Sequence, residues 1–227
     1  MNIFEQMLSR YRMTTREDLL NAQHEVMQQI VIAGLYRGGF FNKVAFYGGT
    51  CLRIFYGSPR FSEDMDFSLL AKDSDFQLEY YFEAIHREFK ALGRDITITK
   101  KEKKTHASVE SAFLKDDTSM YNLQFSTERS IKIKIEVDTY PPSGFDTEYK
   151  LLLLPFSFMV RCYKLPDLYA GKIHALLFRR WRNRIKGRDW YDFEWFVRNN
   201  IPLNLEHFQQ RSAQSGIDLK EDDLPDN

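Results

Sequence analysis

Two aspartates one residue apart, Asp64 and Asp66, alternate with Met65 and Phe67. A strand repeats every two residues, so both carboxylates leave one face while Met65 and Phe67 enter a core. Carboxylates that close repel each other unless a cation lies between them. Hard oxygen donors of this kind suit Mg²⁺, which also takes oxygens from a bound phosphate. Upstream, a short apolar run from Val44 to Tyr47 ends in Gly48-Gly49-Thr50-Cys51-Leu52-Arg53. Glycines let a phosphate approach the backbone closely, and the amides that open the following helix point at the anion. One stretch is suited to phosphate and the other to metal. Arg53 and Arg60 are candidates to meet that phosphate, or else surface arginines near Glu63 and Asp64.

The elements that must carry these groups are legible on either side. Thr14-Thr15-Arg16-Glu17 matches a capping box in which Thr14 and Glu17 satisfy free amides at a helix start. Leu19, Ala22, Val26, Ile30 and Ala33 then fall at helical spacing, and Gly38-Gly39 stops the run. His24 lies within it and is expected at the surface or satisfied by a neighbour rather than as a ligand. After the glycine pair, Leu52, Ile54, Phe55 and Tyr56 can bury one side of a short helix. From Ser74 to Leu92, Phe76, Tyr80, Ile85, Phe89 and Leu92 form an approximately helical stripe closed by Gly93, with its aromatics in the core.

Beyond Arg94 the period changes to two. Ile96 and Ile98, then Val109 to Leu114, Tyr121 to Phe125, and finally Ile131, Ile133, Ile135 and Val137 predict successive antiparallel strands. With the last set facing inward, Lys132, Lys134, Glu136 and Asp138 face outward together. If this strand lies beside that of Asp64, one outward carboxylate completes a three-carboxylate metal site, and spacing does not decide between Glu136 and Asp138. The other reading is an edge strand carrying alternating charges for solubility. Pro141-Pro142-Ser143-Gly144 breaks the chain, and a loop and an apolar strand around Phe156 to Cys162 follow. A boundary is expected here between a catalytic part, residues 1–150, and a mainly helical part, residues 151–227, that completes the cleft.

A second constellation begins at Pro166-Asp167, a helix-start signal. Tyr169, Ile173, Leu176 and Leu177 make an apolar face, and Lys172 lies on a neighbouring stripe that can face the cleft. The run from Arg179 through Arg180, Arg182, Arg184 and Lys186 to Arg188 is densely basic, and Asp189-Trp190-Tyr191-Asp192 opens another helix. Lys172 can neutralise a triphosphate. Asp189 can orient Lys172 or accept a proton from an attacking group, and the basic run can attract a polyanion. The aromatics from Trp190 to Phe196 read as packing. A short helix from Leu203 to Gln214 precedes an acidic tail.

Taken together, Gly-Gly-Thr-x-Leu-Arg followed by Arg-Phe-Ser-Glu-Asp-x-Asp-Phe resembles the nucleotidyltransferase signature of the DNA polymerase β superfamily. The wording is most similar to the AbiEii/AbiGii-type nucleotidyltransferase toxins of bacterial type IV toxin-antitoxin and abortive-infection systems. The later blocks, Ala-x-Lys at Lys172 and Arg-Asp-x-Tyr-Asp at Asp189, resemble them too, although Gly171 stands where an acidic residue is more usual.

The resemblance implies an α+β fold, a polymerase β-like mixed twisted sheet flanked by helices, with an α-helical C-terminal half. It implies a metal-dependent transfer of a nucleoside monophosphate from a nucleoside triphosphate, with release of pyrophosphate, in toxin-antitoxin or phage defence. Asp64, Asp66 and Glu136 would hold Mg²⁺ or Mn²⁺; Gly48, Gly49, Thr50, Arg53 and Lys134 would meet the nucleotide. Lys172 and Asp189 would assist catalysis. Glu136 is favoured over Asp138 because Lys-Ile-Glu-Val is similar to the family's strand. The implied acceptor is an RNA, most simply the tRNA 3′ end, bound by Arg179 to Arg188, and the implied partner is a cognate antitoxin. A protein hydroxyl, an aminoglycoside-like small molecule, or nucleotide binding without catalysis are the alternatives.

Bulk properties set the outer limits. Of 227 residues, 43% are hydrophobic and 15% aromatic, enough for a sizeable core. Lys plus Arg and Asp plus Glu both total 32, so any argument for a nucleic-acid partner rests on the local basic cluster and not on net charge. Cys51 and Cys162 read as ordinary buried thiols rather than a disulfide framework. With no secretory pattern and no apolar run long enough for a bilayer, a cytoplasmic protein without membrane association is expected.

Overall fold

The computed structural model describes residues 2–100, 118–125, 131–178 and 187–219. Among them the alternating runs become β1 (Val44–Tyr47), β2 (Asp64–Leu69), β3 (Ile96–Lys100), β4 (Thr118–Phe125), β5 (Lys132–Asp138), β6 (Thr147–Leu152) and β7 (Phe158–Tyr163). They form one mixed sheet in the order β3-β4-β5-β2-β1-β7-β6. β2 runs parallel to β5 and β1 parallel to β7, while the other neighbours are antiparallel. One face of its centre is the core: Phe46, Met65, Phe67, Ile133, Ile135, Val137, Val160 and Cys162 are all fully buried. Phe46 stacks on Phe67 with ring centroids 4.7 Å apart, which ties β1 to the strand bearing the aspartates.

Among the described residues four α-helices precede or interrupt the sheet on the N-terminal side. α1 (Ile3–Leu8) adds Phe4 and Met7 to the core, and α2 (Arg16–Arg37) contributes Ala22, Val26, Ile30 and Ala33 as the spacing predicts. α3 (Gly48–Tyr56) follows β1 without a loop. α4 (Phe82–Ala91) packs against α2 at Gly34, where a Cβ would lie 2.7 Å from the Ile85 Cα. Only glycine lets the two backbones meet there. The C-terminal helices are α5 (Leu165–Phe178), α6 (Gly187–Arg198) and α7 (Leu205–Gln214). Tyr169 of α5 stacks on Phe196 of α6 at 4.8 Å. Asn204 caps α7 and also donates to the Gly144 carbonyl and to Asp167, so this layer is fastened to the loop after β5.

Several local expectations are corrected. The capping box is one residue later, with Thr15 as cap and Asp18 as its partner, and Leu19 is exposed. Asp18 wins because its carboxylate also accepts from the Thr14 amide and hydroxyl, which fixes three donors at once. Tyr80 is 74% exposed, because a 3-10 turn over Leu78–Tyr81 changes the period before α4 begins. Leu177, Trp190 and Tyr191 are exposed rather than packed. β5 is no edge strand; it lies between β4 and β2. The segment after Gly144 holds β6, and the expected line at residue 150 falls inside it, with the sheet continuing through β7 to β1. Val109 to Leu114 lies outside the described residues. Cys51 and Cys162 are buried free thiols. Among the described residues no helix is long and apolar enough to cross a membrane.

Candidate active site

The parallel pairing of β2 with β5 sets Asp64 opposite Lys134, Asp66 opposite Glu136 and Ser68 opposite Asp138. Glu136 is therefore the carboxylate beside Asp66. Asp138 lies one pair further along and accepts from the Tyr140 amide at 2.9 Å. On the other side of β2, Asp66 faces Tyr47, the last residue before the glycine pair. The strand alternation holds throughout: Met65 and Phe67 are fully buried, while Asp64 and Asp66 leave the opposite face.

Asp66, at the centre of this row of acids, is the one whose neighbours leave it short of positive charge. Burial, then Glu136 and Asp64, push the Asp66 carboxyl up to about 7, with Lys172 and Lys134 pulling the other way. Lys134 Nζ lies 2.6 Å from Glu136 Oε2, and Arg188 Nη1 stands 4.0 Å from Asp64 Oδ2. Among the described residues no three acidic, histidine or cysteine side chains converge as a ready-made metal cluster. The reason is visible in those two contacts: each outer carboxylate is already drawn toward a side-chain cation. An oxygen donor set in strand register, with its central carboxyl pushed up by burial and by its acidic neighbours, fits a hard divalent ion that would replace Lys134 and Arg188.

The phosphate side is built at the β1–α3 junction. Gly48 has φ +80°, and a Cβ there would run into the Asp66 carboxylate, so glycine is demanded twice over. Thr50 is buried, and its hydroxyl donates to the Asp64 carbonyl, which locks the start of α3 onto β2 rather than offering that hydroxyl to a phosphate. Arg53 is corrected more strongly. Its Nε lies 2.8 Å from the buried Glu25 of α2, its Nη1 donates to the Ser58 and Pro59 carbonyls, and its guanidinium covers Phe61 at 4.1 Å. Gln28 of α2 holds the same loop through the Ser62 and Glu63 carbonyls. Arg53 is thus a brace that fixes the approach to β2, turned away from the cleft.

A second acidic cluster stands on α6. Lys172 Nζ lies 2.9 Å from Asp189 Oδ1 and 2.8 Å from Asp192 Oδ2. Asp192, fully buried, also receives Arg60 in a two-pronged contact, Nε to Oδ1 and Nη2 to Oδ2, both at 2.8 Å. Burial raises the Asp192 carboxyl, but Arg60 and Lys172 outweigh it and hold it below the ordinary value. Asp189 is equally enclosed, yet its Oδ2 has no hydrogen-bond partner among the described residues. Gly171, where the resemblance suggested an acid, lies against Arg211, whose Cζ would be 3.7 Å from a Cβ there.

With this geometry in place, comparison with known proteins becomes informative. The family model described as "Nucleotidyl transferase AbiEii toxin, Type IV TA system" matches residues 30–227. The chain belongs to the AbiEii family. It is accordingly a nucleotidyltransferase toxin of a type IV toxin-antitoxin system. No curated protein matches the chain. Among solved structures it is similar to MenT4, a nucleotidyltransferase toxin of Mycobacterium tuberculosis H37Rv, with TM-score 0.61 and 16% identity over 95% of this chain and 73% of that one. It is also similar to JHP933 from Helicobacter pylori, with TM-score 0.53 and 18% identity over 88% and 73% of the two chains. At such identities the likeness concerns the fold, which is the α+β core expected of an AbiEii protein.

Of the residues singled out in the sequence, the AbiEii fold brings Asp64, Asp66, Glu136, Lys134, Gly48, Gly49, Lys172, Asp189 and Arg188 near one another. Arg53 stands apart as described. Arg179, Arg180, Arg182, Arg184 and Lys186 lie outside the described residues. Sequence reasoning missed Asp192 and its bond to Arg60. The available signal was the three-residue spacing of Asp189 and Asp192, which places both on one face of a helix.

Proposed function

We propose that this AbiEii protein transfers a nucleoside monophosphate from a nucleoside triphosphate to the 3′ end of an RNA, most simply a tRNA, releasing pyrophosphate. Asp64, Asp66 and Glu136 would hold Mg²⁺ or Mn²⁺. The observation that carries the proposal is the β2–β5 register, which sets Glu136 beside an Asp66 whose carboxyl is raised to about 7 by burial and by its acidic neighbours. A divalent ion bound there supplies neutralisation of the charge that develops on the attacking and leaving oxygens.

The chain's own groups align the reactants. Gly48 and Gly49 give the phosphates access to the first amides of α3. Lys172, with two of its three N–H groups on Asp189 and Asp192, keeps one for the triphosphate. Oδ2 of Asp189, which has no hydrogen-bond partner among the described residues, accepts the proton of the attacking hydroxyl. That hydroxyl oxygen bonds to the α-phosphorus as the bond from this phosphorus to the bridging oxygen breaks, and pyrophosphate departs. The RNA acceptor is supported by the basic run 179–188, whose last member, Arg188, reaches to 4.0 Å from Asp64. The helical layer from α5 to α7 serves to close the cleft over the sheet.

Purified protein incubated with Mg²⁺, total tRNA and each α-labelled nucleoside triphosphate in turn, beside Asp66→Ala, tests the proposal. Label in tRNA that depends on Asp66 supports it and names the nucleotide. Asp66-dependent label in protein or in a small molecule overturns the acceptor, and transfer that survives Asp66→Ala overturns the site. In cells, expression without antitoxin is expected to slow growth, and Asp66→Ala to relieve it.

A further inference from the structure

Resting on that reading, we propose that Asp192 is a positioning residue that seats Arg60 and Lys172 as one two-cation polyphosphate clamp. Three elements meet on this single carboxylate: the loop before β2 through Arg60, α5 through Lys172, and α6 through Asp192 itself. Its oxygens are fully engaged. Oδ1 accepts Arg60 Nε, and Oδ2 accepts both Arg60 Nη2 and Lys172 Nζ, each at 2.8 Å. With three donors from two cations on its oxygens and no exposure to solvent, it acts through the cations it holds.

Donor counting shows what those cations keep. A guanidinium has five N–H groups, and Arg60 uses three, two on Asp192 and one on the Phe61 carbonyl at 2.9 Å. Among the described residues two have no partner, one of them on Nη2. That nitrogen stands 2.8 Å from where a Cβ of Gly49 would be, so the guanidinium lies directly against the phosphate loop. Lys172 has one N–H free. The fully buried Asp192 therefore holds side by side two cations that each keep a donor, one from the loop side and one from the helix side. Arg60 and Asp192 are 132 positions apart, so the clamp exists only when the C-terminal helices sit on the sheet.

Simple Coulomb attraction and positioning make opposite forecasts. Removing a carboxylate beside two cations strengthens polyanion binding if the cations stay in place, and weakens it if they do not. The test is calorimetric titration of inorganic tripolyphosphate, at constant Mg²⁺, into the full chain and into Asp192→Asn, Arg60→Lys and the double variant, with thermal melts to confirm folding. We expect Asp192→Asn to bind at least tenfold more weakly, Arg60→Lys to fall comparably despite its retained charge, and the double variant to lose less than the product of the two. In the transfer assay the KM for nucleotide should rise more than kcat falls. Unchanged or tighter binding by folded Asp192→Asn overturns the clamp. Where that variant does not fold, unchanged binding by Arg60→Lys does so instead. Wild-type protein that fails to bind tripolyphosphate also overturns it. Tripolyphosphate binding lost in these variants while wild-type protein transfers no nucleotide would uphold the clamp and break the functional reading, so the two fail separately.

Discussion

Asp66 and Asp192 are enclosed carboxylates that both feel Lys172, yet their acidities move in opposite directions. Burial raises both. At Asp66 the nearest strand neighbours, Glu136 and Asp64, add to that effect, and the carboxyl reaches about 7. At Asp192 two cations oppose it and win. Counter-charge, and not depth, decides the state of each acid. On the function proposed above, the sheet side would take a cation from outside, while the helix side would offer its own cations to an anion. Each side is incomplete in the sense that the other's ligand would correct: a metal-bound triphosphate brings positive charge to the first and negative charge to the second.

The contrast can be broken most decisively at Asp66. Asp66→Ala is expected to abolish label transfer, by a thousandfold or more on the scale of lost metal-assisted stabilisation, while circular dichroism shows an intact fold. Asp189→Asn, which removes the free proton acceptor but keeps a partner for Lys172, should lower kcat by about 10²–10⁴ with nucleotide binding retained. Equal kcat would move the proton elsewhere.

Stability against pH sharpens the same comparison. An acid whose folded pKa lies above its ordinary 3.8 binds its proton more tightly when folded, so its contribution is complete below about pH 4 and lost as pH rises to about 7. In chelator, melting temperature should therefore decline across that window, and Mg²⁺ should flatten the decline by favouring the ionised form. An identical slope for Asp66→Asn in chelator would assign the decline to other groups. Lys134→Met should free Glu136 and tighten Mg²⁺ binding severalfold if Lys134 merely stands in for the ion, as titration of activity against Mg²⁺ would reveal; a rise in nucleotide KM would mark it as a phosphate contact instead. Arg53→Met marks the lower limit for chemistry. It should leave transfer per folded molecule unchanged while costing about 3 kcal/mol in a urea melt, because Glu25 stays buried without its counter-charge.

What the sequence disclosed and what it concealed divide along physical lines. Local periodicity is a short-range property, so the alternation around Asp64 and Asp66, the inward face of Ile133, Ile135 and Val137, and the glycine pair were all legible. Periodicity left Glu136 and Asp138 open and only the family resemblance favoured Glu136, since which of them lies beside Asp66 depends on the register between two strands separated by about seventy residues of chain. Arg53 and Arg60 lie seven apart and look alike in the sequence, but one is claimed by Glu25 from the preceding helix and the other by Asp192 from a helix near the C-terminal end. No spacing rule distinguishes them. β6 was hidden for another reason: its charged residues Glu148 and Lys150 turn toward Tyr56 while Tyr149 and Leu151 are exposed, reversing the usual polarity of a strand.

The long separation between Arg60 and Asp192 has a consequence for how the protein is made. A ribosome delivers the aspartate strand first, its parallel companion about seventy residues later, and the helix that holds the clamp only after another fifty. Through most of its synthesis the chain therefore lacks Asp189 and Asp192, the partners of Lys172. Fragments ending before α6 are expected to be harmless to the cell that makes them, so that for a poison of its own host the order of the fold serves as a safety catch released only near the end of translation.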